Sequence, residues 1–440
     1  MDSISNISMD FNKKVKINFN GGDLTSDSGL LLVKEFDDKI GFSKLLKDSL
    51  HIKGNLNARK HLDVENIIQK IYQNIAGYNT DAISSDLMHE HCMKTIFNKE
   101  SLASQPTMSR TFGRISKKNI HELNEFNLAF LDKAYDIELP EEIIFDVDSS
   151  NIDTFGNQHG NSFNGHYMKQ GFHPLFLFDG IKGDFIKTEL RSGNVYTSRN
   201  VVRFMGPVIK RYRSKYPTTK LSLRGDSGFA NPELFNLCEE HNVNYVIRLK
   251  SNKALTAKVS GLIDEVCKDI HANAFDNYEY TTELTYKATS WPKPRRVIVK
   301  INNIYGTLKY NIMFLVTNDE NISIENAVEH YKQRGTMENY IKEYKNGFFA
   351  KNLSSTEYIT NVFRLLLSGL SYNLINFMRR LCFSKSIAKY RIDTIRNKLI
   401  KIAGKISTSG RQIFYNLCSN TPYKNMFIEC LHNIQTLPYG

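Results

Sequence analysis

The sequence is poor in covalent and cofactor-holding devices. Six cysteines occur in 440 residues (Cys92, Cys238, Cys267, Cys382, Cys418, Cys430), scattered and without a CxxC pair. That excludes a disulfide-stapled scaffold and a zinc site of the usual cysteine spacing. Neither a Walker-type phosphate loop nor a GxGxxG fingerprint is present, so no nucleotide cofactor is expected. The longest apolar segment, Val362 to Phe383, is broken by Arg364, Asn373, Asn376, Arg379 and Arg380. Such a segment suits a buried or amphipathic helix, and no membrane association is expected. The opening MDSISNISMDFNKKVKINF has no continuous apolar stretch after its positive charges, so a secretory signal is not expected and the expected location is the cytoplasm, with the nucleoid.

Positive charge, by contrast, is in excess: 58 Lys plus Arg face 46 Asp plus Glu, for a net charge of +12. A surplus of this size points to a polyanionic partner, nucleic acid before membrane surface. It is densest between Arg379 and Arg411, where ten basic residues meet the single acid Asp393. Charge of one sign at this density calls for phosphates or counter-ions. Arg379, Arg380, Lys389, Arg391, Arg396 and Lys398 are therefore candidate DNA contacts. The smaller cluster Lys210, Arg211, Arg213 and Lys215 reads as an exposed helix end.

Apolar residues recur at helical spacing through the first part of the chain, as in Leu62, Ile67, Ile68, Ile71, Tyr72 and Ile75. The spacing predicts a helical N-terminal DNA-binding region over residues 1–138, with Ser104-Gln105-Pro106-Thr107 as a turn into a helix. After Pro140 the pattern changes to short apolar runs. Glu142 to Val147, His173 to Phe178 and Phe185 to Leu190 read as strands, followed by a helix from Ser198 to Tyr216. A strand at Lys220 to Arg224, a helix at Pro232 to His241 and a strand at Asn244 to Leu249 complete an α/β core over residues 139–250. Residues 251–320 read as a β-rich insertion, with strands at Tyr278 to Tyr286, Arg295 to Ile301 and Leu308 to Val316. A long helix from Ile324 to about Asn346 returns to the core within residues 321–350. Residues 351–440 read as a helical, basic C-terminal region.

Three carboxylates stand where chemistry on phosphodiesters would need them. Such chemistry activates one oxygen and stabilises another, which paired hard cations about 4 Å apart can do, and hard cations want oxygen ligands. Asp148 sits where the first strand runs out into Ser149, Ser150 and Asn151. Asp146, two residues earlier and on the same strand face, is the alternative. Asp226 follows the Lys220 strand between Gly225 and Gly228, small neighbours that permit close approach. Glu338 lies on the long helix within Y-x2-R-x3-E-x6-K, formed by Tyr331, Arg334, Glu338 and Lys345. At about 100° per residue these four side chains fall on one stripe. Taken singly, the aspartates read equally well as turn residues and the helix as a solvated charged face. The groups His89-Glu90-His91-Cys92 and His159, His166, His173 read as polar surface and hairpin turns rather than metal sites.

Together, the Asp148-Ser149-Ser150 strand end, the Arg224-Gly225-Asp226-Ser227-Gly228-Phe229 segment and the Y-x2-R-x3-E-x6-K helix resemble the DDE transposases of bacterial insertion sequences. The likeness is to the branch with a Tyr-Arg-Glu-Lys signature and a β-rich insertion before the catalytic Glu, and covers roughly Pro140 to Phe349. The segments Gly22 to Gly29 and Ser104 to Thr107 are similar to those of one subgroup. Ser149 replaces the Thr that often follows the first aspartate in this branch. The resemblance implies an α/β fold, an RNase H-like mixed sheet with flanking helices interrupted by the insertion. It implies that Asp148, Asp226 and Glu338 are catalytic and hold two Mg2+ or Mn2+ ions. Tyr331, Arg334 and Lys345 would contact DNA phosphates, and a homodimer would bind terminal inverted repeats of double-stranded DNA, cleave there and join the ends to target DNA. An unreactive DNA-binding derivative, or a general nuclease of the same fold, is the competing expectation.

Overall fold

The structure is a computed structural model that describes residues 6–54, 59–272, 278–307 and 309–438. The chain forms two compact units. One comprises Ala134–Lys342 and Leu353–Val362, the other Met1–Lys133, Glu343–Asn352 and Phe363–Gly440.

The first of these units is built on an eight-stranded mixed sheet. In chain order its strands are β1 (Glu142–Ser149), β2 (Leu175–Asp179), β3 (Phe185–Glu189), β4 (Lys220–Gly225), β5 (Asn244–Leu249), β6 (Glu279–Tyr286), β7 (Arg295–Asn303) and β8 (Tyr310–Thr317). Across the sheet they run β3-β2-β1-β4-β5-β8-β7-β6. β1, β2 and β3 are successive antiparallel neighbours, whereas β1, β4 and β5 are parallel. Parallel neighbours need crossovers, and these are the helices α1 (Val201–Lys215), leading into β4, and α2 (Pro232–Glu240), between β4 and β5. Strands covered on both faces read as near-continuous apolar runs. Accordingly Ile143, Phe145, Val147, Leu221, Leu223, Tyr245 and Ile247 are all buried. α1 lays Tyr212 edge-on against Phe145, ring centroids 5.3 Å apart. This is an α/β arrangement, a mixed sheet with flanking helices, as expected from the sequence.

Residues 251–320 do not form a body of their own. Two helices, Lys253–Lys258 and Ser260–Ala272, precede β6, β7 and β8, and β8 pairs antiparallel with β5, so these strands lengthen the core sheet. The expected start of the last strand, Leu308, lies outside the described residues. A further three-stranded sheet of Ile152–Asp153, Ser162–Asn164 and Lys169–Phe172 follows β1.

The long helix expected from Ile324 is segmented. α3 (Ile324–Lys332) ends at Gln333, α4 (Gly335–Lys342) follows, and Glu343–Gly347 is a π turn belonging to the other unit. At the junction the amides of Arg334, Thr336 and Met337 each bond three residues back rather than four. Gly335 is a weak helix former there. The uniform 100° stripe therefore does not run from Tyr331 to Lys345. Tyr331 instead packs on the cluster of Val246, Ile298, Leu315, Ala327 and Val328 that seats α3 on the sheet.

In the second unit helices predominate, among them Leu30–Ile40, Asp63–Ala76 and Lys117–Ile137, the last of which runs on into the other unit. The C-terminal part departs from an all-helical expectation, because Gly404–Ser409 and Gln412–Leu417 form a hairpin whose outer edge takes up Leu24–Thr25. Gly410 supplies the left-handed turn residue, with φ +61°. Among the described residues no helix is long and apolar enough to cross a membrane.

Candidate active site

β1 and β4 are parallel, and their register pairs Asp146 with Arg224 and Val147 with Gly225. One residue further the same register brings Asp148 and Asp226 to the carboxyl ends of adjacent strands, where spacing is about 4.8 Å and open α/β sheets bind their ligands. Side chains alternate across a sheet, so Asp146 and Arg224 lie one layer beneath on the same face. There they form a fully buried bidentate pair, with Nε–Oδ1 and Nη2–Oδ2 both 2.6 Å. The remaining Arg224 nitrogen, Nη1, donates to the His330 carbonyl at 2.7 Å. A cation thus meets an orphan carbonyl at the C-terminal end of α3 and fixes that helix over the strand ends. Both oxygens of Asp146 are engaged in this pair, whereas Asp148 stands two residues further on at the open strand end.

Each aspartate is held by a backbone amide just beyond it in the chain. Asp148 Oδ1 accepts the Ser149 amide at 2.8 Å, and Asp226 Oδ1 accepts the Gly228 amide at 2.8 Å. A Cβ on Gly228 would stand 2.9 Å from the Thr197 methyl and 3.0 Å from Asp226 Oδ1, so only glycine fits that turn. Thr197 also faces the Ser149 hydroxyl at 3.4 Å.

The other oxygens turn to Arg334. Its Nη2 lies 2.8 Å from Asp148 Oδ2 and 3.9 Å from Asp226 Oδ2, and its Nη1 lies 3.6 Å from Glu338 Oε1. One guanidinium therefore touches three carboxylates drawn from β1, the loop after β4, and α4. The Asp148 side chain is 14% exposed, Asp226 40% and Glu338 67%. Burial pushes the Asp148 carboxyl up to about 6, with Asp226 and Glu338 adding to the rise and Arg334 opposing it.

Among the described residues no group of three His, Cys, Asp or Glu side chains is close enough to hold a metal ion as it stands. The donor chemistry nonetheless fits a hard divalent cation: carboxylate oxygens at an open strand end, two of them within 4 Å of one cationic nitrogen.

Of the other candidates, Tyr331 is half-buried beside Arg248 and Asp226. Lys345 lies in the π turn of the other unit. In that unit Lys389 and Arg391 are exposed, and Lys398 stands 4.4 Å over the Tyr390 ring and 5.2 Å over that of Tyr423. Arg380 covers Phe377 at 5.0 Å. Lys401 pairs with the buried Asp27 at 2.6 Å, and other members of the basic run are committed internally as well. Arg379 pairs with Glu343 at 2.7 Å. The buried Arg396 donates to the carbonyls of Asn74, Ile75 and Gly347 at 2.6–2.8 Å, capping the end of the Asp63–Ala76 helix. His89 and His91 gather no partner set for a metal among the described residues, and Glu90 caps the His91–Phe97 helix at the Met93 amide.

Two residues near the site went unnoticed in the sequence. Burial raises the Tyr167 phenol, with the charges of Asp148 and Asp226 adding to the rise, and its ring is 4.8 Å from His166 and 6.1 Å from His173. Arg248 on β5 is exposed, and an arginine within the otherwise apolar NYVIRL was the available signal.

Comparison with known proteins follows the same line. The sequence matches the model of the transposase DDE domain group 1 family over residues 7–439. No curated protein matches the chain. Among solved structures, the cryo-EM structure of the piggyBac transposase synaptic complex with hairpin DNA is similar at a TM-score of 0.44 and 15% identity, covering 84% of this chain and 79% of that one. With the family model spanning nearly its whole length, the chain belongs to the transposase DDE domain group 1 family.

Proposed function

We propose that this protein binds the terminal inverted repeats of an insertion sequence, cleaves DNA strands there and joins them to target DNA. The observation that carries this reading is the meeting of Asp148, Asp226 and Glu338 around Arg334, at the open end of two parallel strands. Asp148 and Asp226 would hold two Mg2+ or Mn2+ ions, with Glu338 completing the set from α4. When bound, such ions activate an attacking oxygen and stabilise the leaving oxygen of an in-line displacement. The chain's own contribution is positioning. Asp146 and Arg224 hold α3, the Ser149 and Gly228 amides orient the aspartates, and Arg334 and Tyr331 meet the DNA backbone at the site. In the other unit, Lys345, Arg380, Lys389, Arg391 and Lys398 would add contacts of their own to double-stranded DNA, which sequence-independent charge would bind in a salt-dependent way. A homodimer would hold the two ends together, and no nucleotide cofactor is invoked.

The test is direct. Duplexes cut from the ends of the element that carries the gene are incubated with the full chain and Mg2+ or Mn2+, and strand cleavage and joining are followed on gels. Asp148→Ala, Asp226→Ala and Glu338→Ala should each abolish cleavage while leaving duplex binding. Cleavage by Asp226→Ala or Glu338→Ala at the parent rate would overturn the assignment.

A further inference from the structure

The division of labour among the carboxylate oxygens is uneven. In both aspartates Oδ1 is pinned by a backbone amide one or two residues further along the chain, and Oδ2 is the atom turned toward Arg334. A divalent cation that bridged the aspartates would draw on the same Oδ2 atoms, at ligand distances of about 2.1 Å. The guanidinium and the cation need the same lone pairs and carry charge of the same sign. In a site where Asp148 is 14% exposed, solvent would not screen their repulsion well.

Arg334 sits at the break between α3 and α4, next to Gly335, where no long regular helix fixes its position. Its third carboxylate partner, Glu338, is 67% exposed, so that contact is open to solvent. A guanidinium displaced from carboxylates finds its best alternative in the bidentate geometry of a phosphate.

We propose that Arg334 competes with the divalent cation for Asp148 and Asp226, and that DNA, by taking Arg334 onto a phosphate, couples its own binding to metal binding. The inference rests on the reading of these carboxylates as metal ligands. It adds a positioning role for Arg334 beyond phosphate contact: in the absence of DNA it holds the carboxylates together and keeps the cation weakly bound. By thermodynamic reciprocity, metal must then tighten DNA by the same factor as DNA tightens metal.

The experiment reads binding rather than cleavage. Mn2+ is titrated into the full chain, and free Mn2+ is followed by electron paramagnetic resonance, with and without a duplex from the element's end. Arg334→Gln without DNA should bind Mn2+ more tightly than the parent by about tenfold, within the usual range of coupling factors. DNA should tighten Mn2+ binding to the parent but not to Arg334→Gln. Arg334→Lys, which keeps the charge, should stay near the parent and guards against a folding defect, checked by circular dichroism. Equal or weaker Mn2+ binding by Arg334→Gln, with binding still lost in Asp148→Asn, would overturn the competition while leaving the metal site intact. Mn2+ binding that survives both Asp148→Asn and Asp226→Asn would instead overturn the reading of the carboxylates, and the competition with it.

Discussion

Gly180 lies against the ion pair of Asp146 and Arg224 so closely that a Cβ there would come within 2.4 Å of both Asp146 Oδ2 and Arg224 Nη2. Its amide also donates to the Ile144 carbonyl at 2.7 Å. The turn after β2 is therefore moulded on the buried pair, and the pair on the turn. Breaking such a pair from one side leaves an uncompensated charge in the core, which costs about 3–5 kcal/mol. Asp146→Ala should lower the unfolding free energy read from denaturant titration by an amount of that order. Gly180→Ala, which must displace one of the two charged groups, should also destabilise, whereas Asp148→Ala should not. A stable, fully folded Asp146→Ala chain that fails only in cleavage would show that Asp146, not Asp148, is the first catalytic carboxylate.

Asp148 should weaken the fold that carries it. Its carboxyl is raised to about 6, chiefly by burial, so the fold favours the protonated form. Its contribution to stability is complete below the unfolded value near 4 and is lost as pH rises through 6. In chelator at pH 7.5, Asp148→Asn should be more stable than the parent by roughly 1–3 kcal/mol, at 1.36 kcal/mol per pKa unit. The gain should vanish near pH 4. A melting curve unchanged or lowered by Asp148→Asn at pH 7.5 would contradict the desolvation argument.

His330 acts in the opposite direction over nearly the same range. Burial first, then the charge of Arg224, pushes its imidazole down to about 4. Between pH 6.5 and 4 the unfolded chain takes up a proton that the folded chain refuses, so stability is lost as pH falls through that window. The loss can reach about 3 kcal/mol at 1.36 kcal/mol per unit. In the parent the two slopes offset each other. Asp148→Asn should therefore unmask a steeper acid limb, and His330→Gln should flatten it; urea titrations at half-unit pH steps would resolve both.

What could be read from the sequence was local. The EIIFDV run ending in Asp148 and the Gly-flanked Asp226 were visible as strand ends, because apolar runs and turn residues are written consecutively. The register that sets them side by side was not, since it depends on two strands separated by a hairpin and a helix. For the same reason β6 to β8 read as an insertion: their alternation marks strands but not the partner, and β8 proves to extend the sheet from β5. The break at Gln333–Gly335 was missed because α3 and α4 keep a helical apolar period on both sides of it. The hairpin after Gly404 was hidden inside a basic stretch read by charge alone, although its β-branched residues and Gly410 carried a signal.

Charge density likewise does not reveal burial, and the basic run between Arg379 and Arg411 tests the point. Lys389 and Arg391 are exposed, whereas Arg396 is 7% exposed and satisfies three backbone carbonyls. An exposed phosphate contact, when removed, lowers affinity for all sequences alike and reduces the slope of log affinity against log salt by about 0.9 per contact. Lys389→Ala combined with Arg391→Ala should therefore weaken duplex binding and flatten the salt slope by nearly two, with the melting temperature moved far less than by Arg396→Ala. Arg396→Ala should do the reverse. It removes the donor on the Ile75 carbonyl near the end of the Asp63–Ala76 helix, a loss of about 1–3 kcal/mol, so the melting temperature should fall while the salt slope of the remaining folded protein stays at the parent value. Fluorescence anisotropy across a salt series, paired with thermal melts of the same samples, separates the two outcomes. A salt slope unmoved by the double substitution would remove Lys389 and Arg391 from the DNA-contacting set.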